Sequence, residues 1–98
     1  MNVVTIRTKI DPASADDLHA AIGNFFSALE REQPGGIRYT SCQLEDGATY
    51  LTLLELDDGV ENPLPTLAEF AEFQKNVKQW AAEPPVAERF TVVASYRS

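Results

Sequence analysis

The stretch Thr49–Leu56, TYLTLLEL, carries large apolar side chains on both sides of an extended chain: Tyr50, Leu54 and Leu56 point one way, Leu51 and Leu53 the other. A strand that is apolar on both faces needs cover on both faces. It belongs inside a sheet, with helices over one face and other cover over the second.

The rest of the chain supplies the matching elements. Val3–Ile10 alternates, with Val4, Ile6, Thr8 and Ile10 on one face and Val3, Thr5, Arg7 and Lys9 on the other, which is strand periodicity. Asp11 and Pro12 stop it. Ser14, followed by Asp16 and Asp17, predicts a helix N-terminus, where the helix dipole favours negative charge. Leu18, Ile22, Phe25 and Leu29 form its apolar stripe, and Pro34, Gly35 and Gly36 end it. Ile37–Leu44 and Thr49–Leu56 read as a hairpin turning through Asp46-Gly47. After the acidic loop Asp57–Pro65, Thr66 and Glu69 predict a capping box for a second helix with the stripe Leu67, Phe70, Phe73, Val77, Trp80 and Ala81. Pro84 and Pro85 close that helix, and Arg89–Tyr96 is the expected last strand.

The order is βαββαβ, an α+β, ferredoxin-like layout filling residues 1–98 as a single domain. Right-handed crossovers place both helices on one face of a four-stranded antiparallel sheet and make the first and third strands central. Two helices cover only one face. The open face is therefore expected to be covered by a second copy of the chain, as a homodimer.

Charge and cysteine content narrow the partners. Eight Lys and Arg against fifteen Asp and Glu leave a formal charge of -7, which repels phosphate backbones and anionic lipid. Neither nucleic acid nor a membrane surface is an expected partner. No segment approaches the ~18 apolar residues of a membrane span, and the N-terminus does not read as a secretory leader. With Cys42 as the single cysteine, no internal disulfide can form. A cytoplasmic location is expected.

The chain has no glycine-rich phosphate loop, no helical histidine pair, no Cys-x-x-Cys and no Gly-x-Ser-x-Gly elbow. No metal site and no cofactor are expected. His19, the only histidine, falls at the border of the first helix's apolar stripe near Phe26, placed either half in water or at a pocket edge as an acid or base. Cys42 reads as a small buried hydrophobe or, given an activating neighbour, a reactive thiol. Arg7 and Arg89 read as partners of surface carboxylates or as holders of an anionic group. On the second helix Phe73, Asn76 and Trp80 share one flank, where an amide and an indole N–H could meet a flat hydrophobic ligand, or Asn76 could simply be solvated.

The succession VVTIRTKI, a helix ending at QPGGIRY, a hairpin into YLTLLEL, the helix LAEFAEFQKNVKQW and the strand RFTVVASYR resembles the antibiotic biosynthesis monooxygenase family of dimeric α+β barrels. The resemblance covers nearly the whole chain and is one of layout. It implies a homodimer packed through the sheets and a pocket between helices and sheet for a hydrophobic small molecule. It also implies an activity: oxidation of an aromatic or polyketide-like compound by molecular oxygen without flavin, haem or metal. Asn76 and Trp80 occupy places comparable to the family's Asn and Trp on the second helix, His19 is the candidate base, and Phe73 and Phe26 are the expected substrate walls. The haem-degrading branch resembles the chain less, since Gln74 and Asn76 stand where a histidine is needed and Thr5 and Arg7 where an asparagine is. A tyrosine used by the polyketide branch beyond the Trp is missing from Ala81–Ala87. Non-catalytic ligand binding on the same fold is the alternative.

Overall fold

The computed structural model describes residues 1–98. The elements are β1 (Asn2–Lys9), α1 (Ala15–Glu32), β2 (Ile37–Gln43), β3 (Thr49–Leu56), α2 (Ala68–Trp80) and β4 (Val86–Thr91), with 3-10 turns at Pro12–Ser14 and Leu64–Thr66. The sheet runs β2-β3-β1-β4 with every neighbouring pair antiparallel. β1 and β3 are central, as the crossover rule requires.

The register sorts the faces. Val4, Ile6 and Thr8 lie opposite Leu54, Thr52 and Tyr50, and in the next strand Tyr39, Ser41 and Gln43 oppose the same three residues. This is the side the helices cover. Ile10, Leu18 and Tyr50 form one core cluster, and Phe25, Leu54 and Leu64 the other, with Phe73 packed against both. Phe25 anchors the second cluster: its ring stacks on Phe73 with centroids 5.2 Å apart and meets Tyr39 edge-on at 5.4 Å. Arg31 on α1 is ion-paired with Glu69 on α2, which ties the two helices together at one end.

Local chemistry sets the turns. At the hairpin Gly47 takes a φ of 72°, and the Asp46 carboxylate accepts the Ala48 and Thr49 amides at 2.9 and 2.8 Å. The Thr49 hydroxyl, which donates to the same carboxylate at 2.6 Å, and then these two amides hold its carboxyl down at about 2. Gly36 also has a positive φ, and a Cβ there would come within 2.9 Å of Val60, so no other residue fits where the acidic loop folds back on β2.

Several local expectations change. Ser14 and Leu67 precede the two helices without giving side-chain caps. Thr66 belongs to a 3-10 turn and its hydroxyl donates to the Pro63 carbonyl, so no capping box forms. The last strand is Val86–Thr91 rather than Arg89–Tyr96. The chain turns back sharply after Pro84-Pro85, Arg7 already pairs with Val86, and Thr91 reaches Asn2, the end of β1. Cys42 is exposed rather than buried, because it sits on an edge strand in register with Leu51, on the face away from the helices. Arg7 and Arg89 form no ion pair.

The face away from the helices carries Leu51, Leu53, Val3 and the largely exposed Val86 and Phe90 (54% and 48%). Beyond β4, Val93 and Tyr96 are 96% and 91% exposed. No helix is long and apolar enough to cross a membrane.

Truncating Phe25, which touches both helices and the sheet, should cost about 3–5 kcal/mol. That is a large part of the total for a domain of this size. Denaturant unfolding of Phe25→Ala, followed by Trp80 fluorescence, should show a much lower midpoint or no folded baseline.

Candidate functional site

A cavity of about 200 Å³ lies between the helical layer and the sheet. Its roof is apolar: Leu18 and Ile22 from α1, with Phe70, Phe73 and Val77 from α2. Its floor is different. Thr8, Tyr39, Ser41, Tyr50 and Thr52 bring five hydroxyl side chains to it, beside Ile6 and Ile10. Strand alternation causes this, because residues two apart share a face, and the register lines Ser41, Thr52 and Ile6 in one row across the sheet. Gln74 and Lys78 from α2, and Pro85 and Ala87 near β4, form its exposed rim. No carboxylate lines the cavity.

A second cavity, of about 390 Å³, adjoins the first and shares Ile6, Tyr39, Thr52, Phe70 and Gln74 with it. The pair runs beneath α2 from Lys78 and Pro85 to Asn62 and Leu64. An apolar cavity of about 150 Å³ takes up benzene, so the inner cavity suits one or two rings, and a longer fused ligand extends into the outer one.

Two floor groups have special surroundings. Burial pushes the Tyr39 phenol up to about 12, against the opposing pull of its bond with Thr52. It therefore stays protonated and available as a donor across the ordinary pH range. Tyr50 is buried, and its hydroxyl lies 2.8 Å from Nε2 of His19. The two rings meet edge-on with centroids 5.7 Å apart.

The sequence-predicted residues do not all meet. Phe73 lines the cavity. Asn76 lines a separate, more polar groove between α1 and α2, with Ala21, Asn24, Glu69 and Glu72. Trp80 packs on the Ile10, Leu18 and Tyr50 cluster, and Phe26 packs against Tyr39 in the other. His19 is exposed and connects to the cavity wall only through Tyr50. The hydroxyl floor was not picked out from the sequence. Its signal was present in Thr8 between Ile6 and Ile10, and in Ser41 and Thr52, polar residues at inward positions of otherwise apolar alternations. No three His, Cys, Asp or Glu side chains gather closely enough to hold a metal ion.

The phenol of Tyr39 gives a test of its burial. Its unfolded-state ionisation lies near 10 and its folded one near 12, so the stability it contributes is complete below about pH 10 and declines as pH rises toward 12. Urea unfolding at pH 9 and pH 11 should show a steeper loss for the wild type than for Tyr39→Phe. Equal losses would place the phenol in water.

No family model matches the chain, and no curated protein matches it in sequence. Solved structures do match in shape. A crystal structure of an antibiotic biosynthesis monooxygenase aligns with a TM-score of 0.80 at 12% identity, covering 96% of this chain and 100% of that one. Rv0793 of Mycobacterium tuberculosis aligns at 0.78 and 14%, covering 98% of each chain. SnoaB, a cofactor-independent oxygenase from Streptomyces nogalater solved as an asparagine-to-alanine variant, aligns at 0.67 and 15%, covering 99% of this chain and 97% of that one. Agreement over whole chains at such identities is agreement of fold, and the fold of this chain is that of the antibiotic biosynthesis monooxygenases.

Proposed function

We propose that the protein is a cofactor-independent oxygenase of a flat hydroxyaromatic or polyketide-like compound, acting as a cytoplasmic homodimer. The observation that carries this reading is the cavity: an aromatic and aliphatic roof over a floor of hydroxyls, with Lys78 as the only charged residue in its wall. Such a site grips a ring system by its faces and its oxygen atoms by donors below. An electron-rich ring ionised at oxygen can pass an electron to molecular oxygen directly. In the simplest overall change a ring CH2 becomes C=O, and its two hydrogens leave with the second oxygen atom as water. The protein's part is to stabilise the ligand's oxyanion and to keep water out. Tyr39, Thr52, Gln74 and Lys78 are the donors placed for the first task, and Phe70, Phe73 and Val77 serve the second. The likeness in fold to an enzyme described as a cofactor-independent oxygenase supports the reaction class.

Ligand binding without oxidation is the second reading. One observation favours it: neither Asn76 nor Trp80, the donors implied by family resemblance, is among the residues of the cavity wall. Oxygen uptake with anthrones, naphthols and hydroquinones separates the two readings. Under the oxygenase reading, uptake is expected, and Gln74→Ala should lower turnover by about 10²–10³ if it removes an oxyanion donor. Asn76→Ala should change turnover by only a few fold. A loss on Asn76→Ala as large as that expected for Gln74→Ala would move the reaction centre to the groove between the helices. Binding of these compounds, seen as quenching of Trp80, with no uptake for any of them would leave the binding reading.

The homodimer is proposed through the open sheet face, where Leu51, Leu53, Val86 and Phe90 are otherwise left to water. Sedimentation at micromolar concentration should give roughly twice the 10.8 kDa chain mass. Leu53→Lys should return it to one. A wild-type monomer would end this part of the reading.

A further inference from the structure

The single histidine of the chain stands where the cavity wall meets the outside of α1. Its Nε2 is bonded to the hydroxyl of Tyr50 at 2.8 Å. Tyr50 is buried and lines the cavity, whereas His19 is exposed. One buried tyrosine thus connects a carboxylate-free cavity to an imidazole in contact with water.

We propose that Tyr50 and His19 form a proton exit, through which a phenolic or enolic ligand in the cavity is ionised as it binds. The proposal rests on the reading that the cavity takes a hydroxyaromatic ligand, and it specifies how that ligand becomes the reactive anion. In the step the ligand O–H gives its proton to the Tyr50 oxygen, while the Tyr50 O–H gives its own to Nε2 of His19. The ligand ends as an oxyanion, Tyr50 is neutral again and His19 is an imidazolium. No electrons move, and the imidazolium keeps the proton while the anion is bound, releasing it to water once the anion has been consumed. The step needs the His19 tautomer with hydrogen on Nδ1, which leaves Nε2 free to accept. Tyr50 is the residue that touches the ligand, and His19 acts through it.

The surrounding charges suit this direction. From α2, Lys78 offers an ammonium to the oxyanion. From β2, Tyr39 holds its own proton up to about pH 12 and does not compete as a base. The cavity wall offers no carboxylate to take the ligand's proton. On α1, Asp16 lies one turn before His19, and no carboxylate is within ion-pair distance of the ring. His19 is therefore free to pass its proton on.

Because the chain has one histidine, its ring proton resonances are unambiguous in NMR. The test uses 4-nitrophenol, whose acidity in water is close to that of an imidazolium ion and whose phenolate is coloured, at about pH 7. In the wild type, binding should raise the ionised fraction of the probe and move the His19 resonances toward their imidazolium positions together. In His19→Gln, an exposed substitution that keeps an amide near Tyr50, the ionised fraction of bound probe should fall at least threefold. In Tyr50→Phe, checked for fold by circular dichroism, the probe should bind while the His19 resonances stay put. Ionisation of the probe with no movement of the histidine signals, or full ionisation in His19→Gln, overturns the exit. Failure of the wild type to bind either the probe or a nitronaphthol, read as quenching of Trp80, overturns the hydroxyaromatic reading and the exit with it. Coupled ionisation without oxygen uptake keeps the exit and removes only the oxidation.

Discussion

The pairing of β1 with β3 governs the remainder of the molecule. Both strands lie inside the sheet, and their register sets Thr8 opposite Tyr50, Ile6 opposite Thr52 and Val4 opposite Leu54. A slip of one residue would send all of these to the other face and bring Thr5, Arg7, Leu51 and Leu53 under the helices. The same register therefore decides which residues form the core, which form the cavity floor and which are left for other cover. Asp46 and Gly47 support it from the hairpin side by fixing where β3 begins.

The cavity exists because the inward face is not uniformly large. Phe25, Leu54 and Leu64 fill one end of the space beneath the helices, and Ile10, Leu18 and Tyr50 fill the other. Between them the inward positions fall to Ser41, Thr52 and Ala87, whose short side chains cannot reach the roof. Phe73 bridges the two clusters and forms part of the roof. The void is thus bounded by packing that also holds the domain together.

Much of this was legible in the sequence. The two-sided apolar pattern of Thr49–Leu56 required a central strand, and the stripes on the helices named Leu18, Ile22, Phe25, Phe70, Phe73 and Val77 as inward residues. What was less legible depended on partners far away in the chain. Arg89–Tyr96 alternates as well as any strand, but a strand needs a neighbour, and the N-terminal strand ends at Met1, whose carbonyl accepts the Val92 amide at 3.2 Å. Helix periodicity put Asn76 near Trp80, yet which side of α2 meets the sheet depends on how α1 and α2 pack. That packing turns Asn76 into the groove between them. His19 was visible as a border residue, but its contact with Tyr50 spans thirty-one positions and follows only from the assembled fold.

The charge distribution bears on how a ligand reaches the cavity. With a net charge of -7, the chain repels anions at a distance, an effect salt weakens but does not reverse. The cavity wall carries no Asp or Glu and one Lys, so inside it the preference is opposite and an anion is the favoured form. A phenol meets both conditions only if it arrives neutral and loses its proton after entry. Such an order is served by a path that takes the proton away from the apolar wall. Buried Tyr50 with the exposed imidazole of His19 behind it is such a path, because protons cross it by rearrangement of two hydrogen bonds while the ligand stays in place.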